Sequence, residues 1–267
     1  MCLVLLAWHA HPDYPLVVAA NRDEFYVRPT APAAFWDDSP AVLAGRDLEA
    51  GGTWLGVTRT GRFAALTNFR DPSRKKARTP SRGRLVSEFL LGAVNPDAYL
   101  RVLKRESVEY NGFNLIFGQG HSLLYFSNCG DQAGELEPGI YGLSNHLLDT
   151  PWPKVAQGKS ALASALGALP DDTRLLALLR DQRVARDEEL PRTGVSLEWE
   201  RLLSAAFIHS LNYGTRSSTT IILERGGRVR FKELSYSEDA QPIGQVEFDL
   251  TFPVFLDTSG DSNPSRP

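Results

Sequence analysis

Two apolar runs, Leu3 to Trp8 and Leu16 to Ala20, flank His11-Pro12-Asp13-Tyr14-Pro15, a stretch made of turn formers. Each run is short and free of charge, so the pair reads as two buried strands joined by a reversal. The device recurs in TWLGVTRTGRFAALTN, where Thr60-Gly61 reverses the chain between Trp54 to Thr58 and Phe63 to Thr67. A chain that opens on successive hairpins is committed to antiparallel sheets, whose apolar faces other layers must cover.

Helical periodicity interrupts the hairpins. Ser81 is placed to cap a helix carrying Leu85, Val86, Phe89 and Leu90 on one face, and Asn95-Pro96 opens another with Tyr99, Leu100 and Leu103. GFNLIFGQG, HSLLYFSN and GIYGLSN read as further strands. Helical patterns return at Pro153 to Leu166, Asp171 to Arg180 and Ser196 to Phe207. STTIILERGGRVRFKEL then forms a hairpin through Arg225-Gly226-Gly227, and Gln245 to Leu250 adds a last strand. Hairpins separated by helix pairs predict a layered α+β fold; no G-x-G-x-x-G opens a helix, and strands do not alternate singly with helices as a doubly wound fold requires. The reading is one domain over residues 1–258, followed by a loose polar tail over 259–267.

With 42% hydrophobic and 23% charged residues, the chain can bury a core, and a net charge of −3 removes any overall attraction to nucleic acid or membrane surfaces. No apolar run approaches the roughly 18 residues of a membrane-spanning helix. The opening Met1 to Ala10 lacks the basic residues of a secretion signal, and Cys2 and Cys129 are too few for a disulfide framework, so a reduced, cytoplasmic setting is expected.

The chemistry-bearing residues begin with Cys2. Removal of Met1 leaves a thiol and a free α-amine on one residue, and an amine of pKa about 7.7–8.0 can take the thiol proton near neutrality. The alternative is a small buried residue of the first strand. Asn21-Arg22-Asp23-Glu24 ends the second run, and a paired hairpin brings that end back beside Cys2. There Arg22 lowers the thiol pKa and Asp23 orients the protonated amine, whereas a bland reading makes the cluster an ion-paired surface strand end. Asn68 in LTNFR and Asn145 in YGLSNHLLDTPWP sit at later strand ends, as turn residues or as amide donors to an oxyanion.

Taken together, MC, NRDEF, GGTWLGV, TNFR, RGRL, YNGFNLI, YGLSNHLLDTPWPK and YGTRSSTTIIL resemble the NRDE family, that of Transport and Golgi organisation protein 2. Members are similar to the N-terminal nucleophile hydrolases, which implies a four-layer αββα sandwich. In the bile-salt hydrolase and penicillin V acylase branch, also opening Met-Cys, the Asn-x-Asp motif falls on Asn21 to Asp23 and the two donor asparagines on Asn68 and Asn145. That implies Cys2 as nucleophile and Asp23 as the residue orienting its amine. The branch's arginine falls on Ala20, leaving Arg22 as a displaced substitute; Arg216 in YGTRSS is the candidate for a second one. Asn21 and Glu24 join the ligand-binding set. The implied activity is hydrolysis of an amide or thioester of a small acyl or carboxylate-bearing molecule, with no cofactor required. The alternative is a carrier of haem or of an acyl-coenzyme A or lipid ligand.

The basic segment RDPSRKKARTPSRGR follows Asn68 directly, with Arg70, Arg74, Lys75, Lys76, Arg78, Arg82 and Arg84 against Asp71. It reads as a solvated loop; the sharper expectation is that Arg82 and Arg84, at the start of the helix, receive an anionic ligand group. His9 and His11 share a strand face but have no third ligand at metal spacing, so no metal site is expected.

Overall fold

The computed structural model describes residues 2–130 and 132–252. The end of the domain at 258 and the polar tail both lie outside the described residues. Thirteen strands lie among them: β1 Cys2–Trp8, β2 Leu16–Phe25, β3 Thr30–Trp36, β4 Ser39–Asp47, β5 Leu55–Thr58, β6 Arg62–Asn68, β7 Phe113–Gln119, β8 Ser122–Ser127, β9 Ala133–Glu135, β10 Gly139–Leu143, β11 Tyr213–Leu223, β12 Arg228–Tyr236 and β13 Pro242–Thr251. The α-helices are α1 Gly83–Leu91, α2 Pro96–Glu106, α3 Pro153–Ala165, α4 Thr173–Leu179 and α5 Leu197–Leu202.

Two antiparallel sheets face each other, one ordered β10-β1-β2-β11-β12-β13 and the other β3-β4-β5-β6-β7-β8-β9. Strand parity explains the layering, because successive side chains leave opposite faces. In β1, Val4, Leu6 and Trp8 join Leu16 and Val18 of β2 in a core shared with Val57, Phe63 and Ile116 of the other sheet. The intervening Leu3, Leu5 and Ala7 pack instead on Val155 and Leu162 of α3 and Leu175 and Leu179 of α4. On the far side, Leu85, Val86 and Phe89 of α1 and Leu100 and Leu103 of α2 cover Leu66, Leu115 and Phe117. The result is the αββα sandwich, and burial on both faces is why β1 and β2 read as unbroken apolar runs.

Three local readings are corrected, and one hairpin is added. The hairpin β3–β4 has no counterpart among the sequence expectations; β3, which holds Pro32, is an edge strand, where a missing N–H is tolerated. Helix α1 is capped by the backbone of Arg82, not by the side chain of Ser81. Its start is set by packing: Gly83 abuts Thr53, and a Cβ there would lie 2.9 Å from the Thr53 carbonyl oxygen. The helix expected to run to Phe207 stops at Leu202, because the Ala206 carbonyl is drawn to the Asn21 amide. The last strand starts at Pro242 rather than Gln245.

Candidate active site

The register of the first hairpin pairs Cys2 with Arg22 and Leu3 with Asn21. The Asn-Arg-Asp-Glu cluster lies within β2 rather than beyond its end, with β11 on its other side. It is not a solvated strand end: Asn21, Arg22 and Asp23 are all buried. Cross-strand partners share a face, so Cys2 and Arg22 both point toward the opposite sheet. They line a cavity of about 130 Å³ together with Asp23, Trp54, Asn68 and Arg82.

Arg22 is 5% exposed and lies 4.3 Å from the centre of the Trp54 ring. Its Nη1 has no hydrogen-bond partner among the described residues. Gly45 makes room for this stack: a Cβ there would come within 2.3 Å of the Trp54 ring. Arg82 enters from the start of α1, donating through Nη1 to the Gly112 carbonyl at 3.0 Å. Arg28 closes the cavity's outer side, held by Asp47 at 2.7 Å and Glu49 at 3.1 Å. Glu24 also lines it.

Burial pushes the Cys2 thiol above its ordinary range, with the Asp23 carboxylate acting in the same direction and the Asp23 backbone hydrogen bond and Arg22 opposing. Asp23, 1% exposed, accepts from the Thr215 hydroxyl at 2.8 Å, and its backbone carbonyl accepts from the Tyr213 hydroxyl at 3.1 Å. Burial raises the Asp23 carboxyl as well; Lys154 of α3 is the largest charge recorded against that shift. The Ser144 hydroxyl donates to the Cys2 carbonyl at 3.2 Å, fixing the start of β1 against the end of β10.

The two candidate oxyanion donors are placed differently. Asn68, at the end of β6, lines the Cys2 cavity. Asn145 is fully buried outside the cavity lining, and its amide donates to the Asn68 carbonyl at 2.9 Å while its own carbonyl accepts from the Arg70 N–H at 2.7 Å. It therefore positions the Asn68 strand end. Asn21 is likewise structural: its Nδ2 donates to the Leu179 and Ala206 carbonyls at 2.8 Å each, and its Oδ1 accepts from Ser218 at 2.6 Å. Strand parity sends it to the helix-covered face.

The expected arginine pair separates. Arg84 is solvent-exposed and ion-paired with Glu88 along α1, away from the cavity that Arg82 enters. Arg216 occupies a bulge where β11 slips register between Thr215 and Ser217. The bulge turns it outward to donate to the carbonyls of Phe25, Tyr26 and Arg28 at 3.0–3.2 Å, beside a neighbouring cavity. In the basic segment, Arg70 is not solvated at all: it forms a buried ion pair with Glu200 at 2.7 Å. His9 stacks on His121 at 6.1 Å, while the Nδ1 of His11 accepts from the Asp13 N–H. The described residues contain no group of three His, Cys, Asp or Glu suited to a metal ion.

Trp54, Arg28 and Lys154 were missed in the sequence reading. Trp54 stood inside GGTWLGV as a strand residue, and nothing local distinguishes Lys154, in TPWPK, from a surface lysine. Only the packing of α3 on β1 buries it.

The fold is an αββα sandwich of two antiparallel sheets covered by helices, with Cys2, Arg22 and Asp23 lining one cavity. The chain belongs to the Transport and Golgi organisation 2 family, whose profile matches residues 1–238. It is 38% identical over 259 residues to the human Transport and Golgi organization protein 2 homolog, covering 88% of this chain and 93% of that protein. The Mus musculus homolog is 36% identical over 261 residues with the same coverage, and the Drosophila melanogaster protein 28% identical over 262. Among solved structures, a mutant conjugated bile acid hydrolase from Clostridium perfringens aligns over 93% of this chain and 92% of its own at 12% identity and a TM-score of 0.45. An N-acylethanolamine-hydrolyzing acid amidase ortholog from Caenorhabditis elegans covers 83% and 92% at 11% and 0.38. No helix among the described residues is long and apolar enough to cross a membrane.

Proposed function

We propose that the protein hydrolyses an amide or thioester bond in a small acyl or carboxylate-bearing molecule, with Cys2 as nucleophile. The observation that carries this reading is the convergence of Cys2, Arg22, Asp23 and Asn68 on one cavity.

In this mechanism, Met1 is first removed. The Cys2 thiol proton passes to its own α-amine as Sγ forms a bond to the substrate carbonyl carbon. The ammonium, oriented by Asp23, returns that proton to the departing amine or thiol as the carbonyl–heteroatom bond breaks. Water then attacks the acyl-cysteine, giving a carboxylic acid and restoring the thiol. The Asn68 amide stabilises the oxyanion, a role worth ~2.7–4 kcal/mol where single donors have been removed. Arg22 and Arg82 hold an anionic group of the substrate, Arg22 with a donor that no group among the described residues occupies.

The test joins the intact mass of the purified native chain to a screen of amide and thioester substrates against wild type and Cys2→Ala. A chain lacking Met1 with turnover lost in Cys2→Ala is expected. Retained Met1, or turnover indifferent to Cys2, overturns the reading. A second reading rests on the same two cations, buried Arg22 and half-buried Arg82: a carrier that binds haem propionates or the phosphates of an acyl-coenzyme A in this cavity. It predicts tight ligand retention, no turnover, and no dependence on Cys2.

A further inference from the structure

At about 130 Å³ the Cys2 cavity holds a reacting bond and a charged group but not a whole ligand, since pockets that bury small molecules run to roughly 300–1,000 Å³. Two of its residues, Asn68 and Arg82, also line a second cavity of about 320 Å³ that neither Cys2 nor Arg22 reaches. The Gly112 carbonyl fixes this junction, accepting from Arg82 Nη1 at 3.0 Å and from the Phe69 N–H at 2.9 Å. A Cβ on Gly112 would lie 2.7 Å from Cys129 Sγ and 2.9 Å from Phe69 Cβ, so these three residues form one closely packed wall.

The two cavities differ in chemistry. That of Cys2 carries Arg22, buried and with Nη1 free of any hydrogen-bond partner among the described residues. In the second cavity the polar side chains are engaged by their own surroundings: Arg70 by Glu200, Asp71 by Ser73 and Arg74, and Asn111 by Lys76 and Thr79. What stays open to an occupant is the apolar surface of Phe69, Pro72 and Val195, with Lys75 exposed at the edge.

We propose that the substrate is an amphiphile with a charge on one side of its scissile carbonyl and a hydrocarbon arm on the other. The carbonyl lies at Cys2 and Asn68, the anionic arm on Arg22, and the apolar arm runs past Asn68 and Arg82 onto Phe69, Pro72 and Val195. The bond that breaks rests on the hydrolase reading; the place of the apolar arm does not.

Two thioester series carry charge and chain on opposite sides of the bond: S-acyl 3-mercaptopropionates from acetyl to octanoyl, and S-alkyl monothioesters of succinate from ethyl to octyl. Hydrolysis of either adds water across the carbonyl–sulfur bond, giving a carboxylic acid and a thiol that a chromogenic disulfide reports. In at least one series kcat/KM is expected to rise about fourfold for each added methylene that becomes buried. Val195→Trp, which fills the second cavity, should lower the preference for the longest chain over the shortest at least tenfold, and Val195→Ala should move the optimum to a longer chain. Calorimetric titration of Cys2→Ala with the same compounds reads binding apart from turnover. Turnover indifferent to chain length, or a chain preference unchanged in Val195→Trp, overturns the proposal and leaves Cys2 chemistry standing. Absent turnover with chain-dependent binding to Cys2→Ala that Val195→Trp removes does the reverse, supporting the apolar subsite and sinking the hydrolase reading. Absence of both turnover and binding overturns both. Thermal unfolding of each variant confirms that it is folded.

Discussion

Asn21 and Arg22 are consecutive, but β2 turns one toward the helices and the other toward the opposite sheet. Asn21 satisfies two buried carbonyls and the Ser218 hydroxyl. Asn21→Ala strands those groups and is expected to cost about 2–4 kcal/mol in urea unfolding, a loss below 1 kcal/mol contradicting the clamp. For Cys2, the raised thiol pKa means less thiolate at a given pH than in a free cysteine. Iodoacetamide alkylation should therefore rise with pH through a midpoint above about 8.5, and Arg22→Met should move that midpoint higher by removing the opposing cation. A midpoint in the ordinary range would show the thiol to be unperturbed. That Cys2, Asp23 and Asn68 come to line one cavity could be anticipated from their residue types and their places at strand ends. The burial of Asn145 and the outward, exposed placement of Arg84, which keep both out of the cavity lining, could not be.

Helix α3 and the hairpin β3–β4 each bring to the site a property that no local pattern carries. In α3 it is the buried Lys154. Its folded pKa of about 8 lies below the unfolded value near 10.4, so the folded state binds fewer protons between those limits and stability rises with pH across that window. The wild type should gain stability relative to Lys154→Met between pH 8 and pH 10, measured by urea unfolding at both; a constant difference would mean that the lysine is not desolvated. In β4 it is Gly45, which admits the Trp54 ring. Gly45→Val should destabilise the protein by about 1–3 kcal/mol through overpacking, and alter the Cys2 alkylation rate by pushing Trp54 from Arg22. A stability change without a rate change would separate the stack from the thiol. This hairpin has no counterpart among the sequence expectations.

Between the layers, the loop after β6 is joined to α5 by the Arg70–Glu200 pair, with side chains 3% and 4% exposed. Arg70 also lies 4.6 Å from the centre of the Trp152 ring, and Glu200 accepts from the Thr193 N–H and hydroxyl at 2.7 Å each. Arg70→Met leaves a buried carboxylate without its cation and should cost about 3–5 kcal/mol. Arg70→Met combined with Glu200→Gln should recover more than half of that loss, because the pair is coupled; strict additivity in a double-mutant cycle would contradict a buried ion pair. Counting charges along the basic segment could not single out Arg70, since every arginine in it looks equally solvated until α5 packs over one.

Hairpin spacing, helical periodicity and turn residues were enough to specify a layered α+β fold of antiparallel sheets and helices, because each element must bury one face; the four-layer αββα order was implied only by the family resemblance. They also placed Cys2 opposite the second strand, since a short antiparallel hairpin has little freedom of register. Which polar residues share a cavity was settled by packing. Strand parity, the β11 bulge, the early end of α5 and the seating of α3 on β1 depend on contacts between residues far apart in the chain, and no local signal encodes them.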